Sequence, residues 1–476
     1  MLVRAVTGAG DSLVAHTPSQ VAPTQWHSLR DHLLVTSWLA EQFAQPFGGG
    51  SVARFAGLVH DAGKAVDDVQ RALRRAAKDH RRRLGVPHKE EGAELAYLVY
   101  ERDQRAGLAI SFVTYGHHGG LPDHSQPHEQ LWEMKDDPSR LDLLIDSLDR
   151  TMGISLRQEA AAVTLPPGIV DGSVFGFEMF TRMCHSALVD ADSLDTSCHF
   201  ERLSEPRLAP VRGMVTLADT FWSAYERKYE QAEPTSLNQL RSELYARALD
   251  QARCSQSTTG IFRLPAQTGM GKTMAAAACA LEHARTHGQR RVIVAVPYTS
   301  ITTQNAAQYR TMYAELGDDV VLEHHSAIYE DNIADDRWRR LSASNWDAEF
   351  IVTTTVQLFD SLLSNRPSKT RKLHRIASSV IVIDEVQALP REALPAILRV
   401  LRELTEHFGV TVVLASATQP SFWKYPEWEG VEFTDISPID YVPQQSVRVK
   451  YEMRNYTQTW GEIADELVDL PQVLSI

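Results

Sequence analysis

Residues able to do chemistry gather in two places along this 476-residue chain. The first is Gly57-Leu58-Val59-His60-Asp61-Ala62-Gly63-Lys64, where an imidazole and a carboxylate stand side by side after an apolar run. That pair offers one nitrogen and one hard oxygen, a mixture that suits Mn, Fe, Ni, Co or Zn. Of the 18 histidines, ten lie in the first 128 residues. Among them, His32, His60 and Asp61, with a late helical aspartate, would make one octahedral or near-octahedral site with water in the open positions. His88, His117 and His118 would hold a second ion, with Asp61 bridging. Adjacent His117 and His118 diverge by about 100° on a helix, so they suit a pair of ions, or a ligand plus a substrate contact, better than one shared ion. Two ions about 3.5–4 Å apart stabilise both the attacking and the leaving oxygen in phosphodiester cleavage. Lys64, one helical turn from His60, could neutralise a phosphate oxygen. The chemistry these residues point to is metal-dependent phosphoester hydrolysis. His16, His27, His80, His124 and His128 are read as ordinary.

The second place is Ala266-Gln267-Thr268-Gly269-Met270-Gly271-Lys272-Thr273. It follows the apolar run Ile261 to Leu264 and opens a helical pattern, the context in which loop N–H groups and a helix dipole cradle phosphates. Lys272 would reach the β- and γ-phosphates and Thr273 would hold Mg²⁺. Asp384-Glu385 closes the strand pattern Val380 to Ile383, at the sheet edge where ligands bind. Asp384 would hold Mg²⁺, and Glu385 would orient or deprotonate a water. Ser416-Ala417-Thr418 follows the run Thr411 to Leu414 and could link the phosphate site to a nucleic-acid groove.

The elements that must carry these residues differ between the two halves. Helical spacing recurs over Trp26 to Phe43, Val52 to Val59, Asp67 to Arg83, a stretch opening at Pro87-His88, Ile110 to Tyr115 and Phe177 to Ser193. Strand patterns are nearly absent there, so the first 205 residues or so read as all-α. Residues 206–236, with Pro206, Pro210 and Pro234, read as a linker with a helix near Leu217 to Tyr229. From 237 to 425, β-branched runs at Ile261 to Leu264, Arg291 to Val296, Val320 to Glu323, Phe350 to Thr353, Val380 to Asp384 and Thr411 to Leu414 alternate with helical segments. That alternation predicts a parallel sheet covered on both faces. Residues 426–476 read as a connector and the start of a further α/β domain. The fold class expected is multidomain, all-α followed by α/β.

A net charge of −13 and a pI near 5.8 exclude a general coat of positive charge for nucleic acid. The run Arg74, Arg75, Lys78, Arg81, Arg82 and Arg83 is the one local exception, read first as a solvated helix face. Cys184, Cys198, Cys254 and Cys279 show no C-x-x-C spacing, which fits a reducing compartment and excludes a cysteine-rich zinc module. The amino terminus lacks a signal-peptide core, and no apolar run reaches the length of about 18 residues that a membrane span needs. The expectation is a cytoplasmic protein with no membrane partner.

His32, GLVHDAGK, His88 before a Gly-Ala helix, GHHGGLP and LVDADSLDT resemble the HD nuclease domain of the CRISPR type I helicase-nuclease family. AQTGMGKT, VPYTSITTQNA, VTTTVQ, DEVQ and SAT resemble, in order, the first RecA-like motor domain of superfamily 2 helicases. Together they make the same CRISPR family the match for essentially the whole chain. The resemblance implies an HD domain over 1–205 and a RecA-like domain over 237–425. It places the metal ligands on His32, His60, Asp61, His88, His117, His118 and Asp192, with Asp190 the second choice for the last. It implies cutting of single-stranded DNA with Mn, Ni, Co, Fe or Mg, ATP with Mg in the motor, 3′–5′ movement, and recruitment by a crRNA-guided surveillance complex. It also puts Tyr298, Thr299, Ser300, Gln304, Thr354 and Thr355 along the DNA strand, as neutral backbone contacts compatible with an acidic protein. Ala266 replaces the first loop glycine, a replacement common in helicases. Two departures from the resemblance stand out, the first being Gln387, where many relatives carry His. Pro471 to Ile476 reads as the first strand of a second motor domain whose arginine finger is not in the sequence. The rival expectations are a nucleotide- and DNA-binding fragment without turnover, and a nucleotide phosphohydrolase.

Overall fold

The computed structural model describes residues 13–18, 23–77, 90–123, 138–170, 172–206, 208–230, 232–326, 344–437, 453 and 455–468. Residues 1–439 form one compact unit and residues 440–476 a second, short one. The described part of the second is a helix, Trp460–Leu467, opened by a capping box of Thr459 and Glu462.

In the first unit the helical half is built on α1 (Leu29–Ala44) and α2 (Gly50–Val59). Ser28 caps α1 by accepting from Asp31 N, and Leu29, Leu33, Ala40 and Phe43 are buried at helical spacing. The two helices cross closely because Gly57 has no side chain; a Cβ there would lie 2.5 Å from Ser37 Cα. That crossing brings the His60 end of α2 against the His32 turn of α1. Helix Gln104–Gly116 packs beside α2, and the long helix Val174–Glu201 packs on α1. The middle of this long helix is buried from Met183 to Ala191, which makes it an internal strut. One detail departs from an all-α reading: β1 (Val14–His16) and β2 (His27–Ser28) pair antiparallel ahead of α1. These segments of three and two residues are too short to show a period of two.

Among the described residues, the second half is an open sheet of seven strands, all parallel, in the order β5-β6-β4-β7-β8-β3-β9. Its members are β3 (Gly260–Pro265), β4 (Arg291–Val296), β5 (Val321–His324), β6 (Phe350–Thr354), β7 (Ser379–Asp384), β8 (Thr411–Ser416) and β9 (Phe433–Asp435). Strands β4, β7 and β8 are buried along their whole length, as β-branched runs in a doubly covered sheet must be. The six patterned strands appear within a residue or two of their predicted positions. β9 carried no such signal, because Phe433-Thr434-Asp435 is short and only half buried. Helix Met214–Glu230 buries Leu217, Ala218, Phe221 and Tyr225, with Phe221 against Tyr309 and Tyr313.

Candidate metal centre and phosphate loop

The turn after α2 brings the first set of residues together. His60 and Asp61 end the helix, and a tight 3-10 turn, Ala62–Ala65, returns Lys64 toward Asp61. Lys64 Nζ lies 2.6 Å from Asp61 Oδ2. His32 Nε2 lies 3.1 Å from the same oxygen, and His60 Nε2 lies 3.5 Å from it. Asp192, from the long helix, adds Oδ1 at 3.5 Å from His32 Nε2 and 3.9 Å from His60 Nε2. His32, His60 and Asp61 thus bring three donor atoms within 4.8 Å of one another, with Asp192 Oδ1 beside the two imidazoles. On the far side of the same carboxylate, Asp61 Oδ1 is 3.6 Å from His117 Nε2 and 3.8 Å from His118 Nε2. His88 lies outside the described residues.

The imidazoles are held in one tautomeric sense. His60 Nδ1 donates to Gly57 O at 2.8 Å, His117 Nδ1 donates to Thr114 O, and His32 Nδ1 donates to Asp195 Oδ2 at 2.7 Å. Carbonyl and carboxylate oxygens only accept, so each Nδ1 carries the hydrogen and each Nε2 offers its lone pair inward. This is the orienting bond that ligating histidines make. As a result His32 Nε2 and His60 Nε2 face each other at 3.2 Å as two acceptors. Only a cation or a proton reconciles them. Asp61 Oδ1 and His117 Nε2 are buried, and neither has a hydrogen-bond partner among the described residues. Unsatisfied buried atoms of this kind are unfavourable unless something binds them. The donor set therefore fits divalent cations on both sides of Asp61.

The electrostatics agree. Burial would lower the His32 pKa, but the bonds to Asp195 and Asp61 outweigh it and raise it to about 9. Burial takes His60 down to about 4 and His118 down to about 3. For Asp61, burial opposes ionisation, and the Lys64 charge leads the neighbouring groups that overcome it and hold the carboxyl well below its usual range. A centre with one proton on His32 is thus poised to exchange it for a metal charge. His118 is the solvent-facing edge, with a side chain 44% exposed.

Three residues of this cluster were passed over in the sequence. His16 and His27 read as ordinary in the sequence, but in the structure their Nδ1 atoms stand 3.0 Å apart, His16 Nε2 is 3.3 Å from Lys64 Nζ, and His27 Nε2 is 3.2 Å from Asp195 Oδ2. Asp195 itself orients His32. It stands three residues after Asp192, so the two carboxylates share a helix face, a signal available from spacing alone. Asp190 points elsewhere: it accepts from Arg371 Nε at 2.6 Å. Arg74 and Arg75 end an exposed helix face, and Lys78, Arg81, Arg82 and Arg83 lie outside the described residues.

The second constellation sits at the carboxyl edge of the sheet. β3 leads through residues 266–271 into helix Lys272–His287, with Gly269 and Gly271 both at positive φ. Thr268 and Gly269 are exposed at the loop tip, Gln267, Gly271 and Thr273 are half-buried, and Met270 is buried beneath them. Lys272 Nζ lies 2.6 Å from Glu385 Oε1 and 3.3 Å from Asp384 Oδ1, and Thr273 Oγ1 donates to Asp384 Oδ2 at 3.3 Å. The lysine thus holds the place a phosphate would compete for. Burial raises the Asp384 pKa, whereas for Glu385 the bonds from Lys272 and Gln387 outweigh burial and lower it. Gln387 Nε2 donates to Glu385 Oε2 at 2.6 Å, and Ser416 Oγ donates to Gln387 Oε1 at 2.6 Å. Glutamine here physically bridges the acidic pair to the Ser-Ala-Thr segment. Arg241, which the sequence did not flag, donates to Gly269 O at 2.9 Å. Tyr298, Thr299, Ser300 and Gln304 are exposed just beyond β4, while Thr354 is buried and caps helix Thr355–Leu363.

No helix among the described residues is long and apolar enough to cross a membrane. The family model for DEAD/DEAH box helicases matches residues 248–424. The CRISPR-associated nuclease/helicase Cas3 of Haloferax volcanii is 29% identical over 185 residues, covering 34% of this chain and 20% of that protein. Among solved structures, T. fusca Cas3 with AMPPNP aligns at a TM-score of 0.59 and 18% identity, covering 86% of this chain and 50% of that one. A chain from a CRISPR RNA-guided surveillance complex, described as pre-nicking, aligns at 0.50 and 18%, covering 86% and 48%. The chain spans about half the length of the solved structures that it matches. A helical domain followed by a parallel-sheet domain, with a DEAD/DEAH box helicase match over residues 248–424, is thus what this chain shares with the Cas3 proteins it is similar to.

Proposed function

We propose that this chain cuts single-stranded DNA at a divalent-metal pair in an HD domain spanning about residues 1–205. In this reading the RecA-like domain, about residues 237–425, uses ATP with Mg²⁺ to drive 3′–5′ movement on DNA. The setting is antiviral interference in the cytoplasm, with a crRNA-guided surveillance complex as recruiting partner. The observation that carries the nuclease half is the meeting of His32 Nε2 and His60 Nε2 at Asp61 Oδ2, with Asp192 Oδ1 beside the two imidazoles and Asp61 Oδ1 turned to His117 and His118. Bound ions would stabilise charge on the attacking and leaving oxygens of a phosphodiester. Asp61 would bridge them; His32, His60 and Asp192 would hold one ion, and His117, His118 and His88 the other. Lys64 brings a positive charge to the same edge for a phosphate oxygen.

In the motor, Lys272 would leave Glu385 for the β- and γ-phosphates, and Thr273 and Asp384 would hold Mg²⁺. Glu385, freed from the lysine, would orient or deprotonate the attacking water. Neutral groups at Tyr298, Thr299, Ser300 and Gln304 would grip the strand's backbone.

The test is circular single-stranded DNA incubated without ATP, across Mn²⁺, Ni²⁺, Co²⁺ and Mg²⁺, against EDTA. Metal-dependent nicking that vanishes in His60→Ala is expected. No cutting in any metal, with ATP still bound, would leave a binding fragment without turnover. Phosphate or nucleoside release from dNTPs, with DNA intact, would instead indicate a nucleotide phosphohydrolase.

A further inference from the structure

Two segments that carry residues of the metal centre are tied to one short stretch of the motor half, residues 364–375. The first tie is the buried carboxylate of Asp190. Asp190 is two residues from Asp192, so on the long helix the two side chains point about 200° apart. Asp192 faces His32 and His60, and Asp190 faces the motor half. There Asp190 accepts from Arg371 Nε at 2.6 Å and from Asn345 Nδ2 at 3.2 Å, with His374 Nε2 at 3.6 Å and Arg375 Nη2 at 3.9 Å from its Oδ2. One turn earlier, Ser186 Oγ accepts from His374 N at 3.0 Å. Arg375 in turn pairs with Asp347 at 3.0 Å, so the cluster is anchored into the sheet side of the motor.

The second tie is the turn that follows His117 and His118. Leu121 N donates to Asn365 O at 3.1 Å, and Asn365 Nδ2 returns a bond to Leu121 O at 3.4 Å. Gly120, at φ +97°, presses directly on Asn365 O, where no side chain fits. Arg182, also on the long helix, donates to Ser364 O at 2.8 Å. The two sides of the Asp61 carboxylate are therefore braced from a single motor segment.

We propose that this motor segment positions the metal centre, with Arg371 acting on Asp192 through Asp190 and Asn365 acting on His117 and His118 through the Gly120-Leu121 turn. Both are positioning residues; neither touches a donor atom of the centre. The proposal rests on the metal-centre reading given above. It makes metal affinity in the helical half a property of its contact with the motor half.

The experiment is Mn²⁺ titration of the full chain, with His60→Ala defining which binding belongs to the centre. Arg371→Met keeps the aliphatic stem and removes the guanidinium, and is expected to weaken His60-dependent Mn²⁺ binding about 10-fold, the effect typical of partners that orient ligands. Arg371→Lys should recover part of the loss. Because Asp190→Asn breaks the same contact, the double variant should be no weaker than the worse single one. Gly120→Ala leaves the Asp190 cluster intact and should weaken the ion beside His117 and His118. ATP affinity should stay unchanged in all of them. A lowered unfolding temperature with unchanged Mn²⁺ affinity in both Arg371→Met and Gly120→Ala would overturn the proposal, leaving these ties as ordinary packing. Absence of any His60-dependent Mn²⁺ binding in the unmodified protein would overturn the metal-centre reading as well.

Discussion

Asp61→Asn is expected to lower metal-dependent DNA cleavage by about 1,000-fold or more, in line with removal of a group on which charge stabilisation depends. The substitution preserves shape and removes the one group that faces both halves of the centre. Oδ2 meets His32 Nε2 at 3.1 Å, and Oδ1 meets His117 and His118 at 3.6 and 3.8 Å. An amide offers one oxygen and one N–H₂, so it cannot bridge two cations. The same change leaves Lys64, almost fully buried, without the carboxylate that lies 2.6 Å away. Stranding one partner of a buried pair costs about 3–5 kcal/mol when nothing else compensates. The metal-free variant should therefore unfold at a lower temperature than the unmodified protein. Nicking rates and thermal unfolding, measured on the same preparations with EDTA and with Mn²⁺, check both halves. Full cleavage by Asp61→Asn would remove Asp61 from the chemistry.

The second large effect belongs to Lys272→Ala. In the nucleotide-free geometry this lysine neutralises Glu385 at 2.6 Å and Asp384 at 3.3 Å. Removing it takes away the cation for the phosphates and leaves two acidic groups facing each other at the loop. ATP turnover stimulated by single-stranded DNA should fall by about 100-fold or more. Metal-dependent nicking of circular DNA without ATP should persist, because Lys272 belongs to neither tie that braces the metal centre. Malachite-green phosphate release and the nicking assay, run in parallel, separate the two sites. Equal loss of both activities would contradict two separate active centres.

Much of the fold was legible because its elements carry local signals. Val380-Ile381-Val382-Ile383 is a β-branched run long enough to be a buried strand, and the strand ends where Asp384 begins the acidic pair. The loop at residues 266–271 was legible for the same reason, since strand, glycines and helix follow in order. The candidate metal centre is harder, because its members come from distant segments, 163 residues apart in the His32–Asp195 bond. His60-Asp61 announced itself by adjacency. His16 and His27 did not, since an isolated histidine carries no sign of what the fold will place beside it. The choice between Asp190 and Asp192 needed the rotational phase of the long helix relative to α1, which only packing decides. Helix spacing says that the two face opposite ways, not which one meets His32. The ties from Arg371 and Asn365 left no mark in the sequence at all, because they join the two halves through backbone carbonyls and one buried ion pair.

Gln387 shows how a departure from the usual residue can be absorbed. Its amide donates to Glu385 and accepts from Ser416, so one side chain provides both ends of the bridge.

The most direct measurement is anomalous diffraction from crystals of the full chain grown with Mn²⁺. The expected result is two peaks flanking Asp61, one among His32, His60 and Asp192 and the other beside His117 and His118. Crystals that take up Mn²⁺ elsewhere and leave both positions dark would contradict a metal pair at this centre.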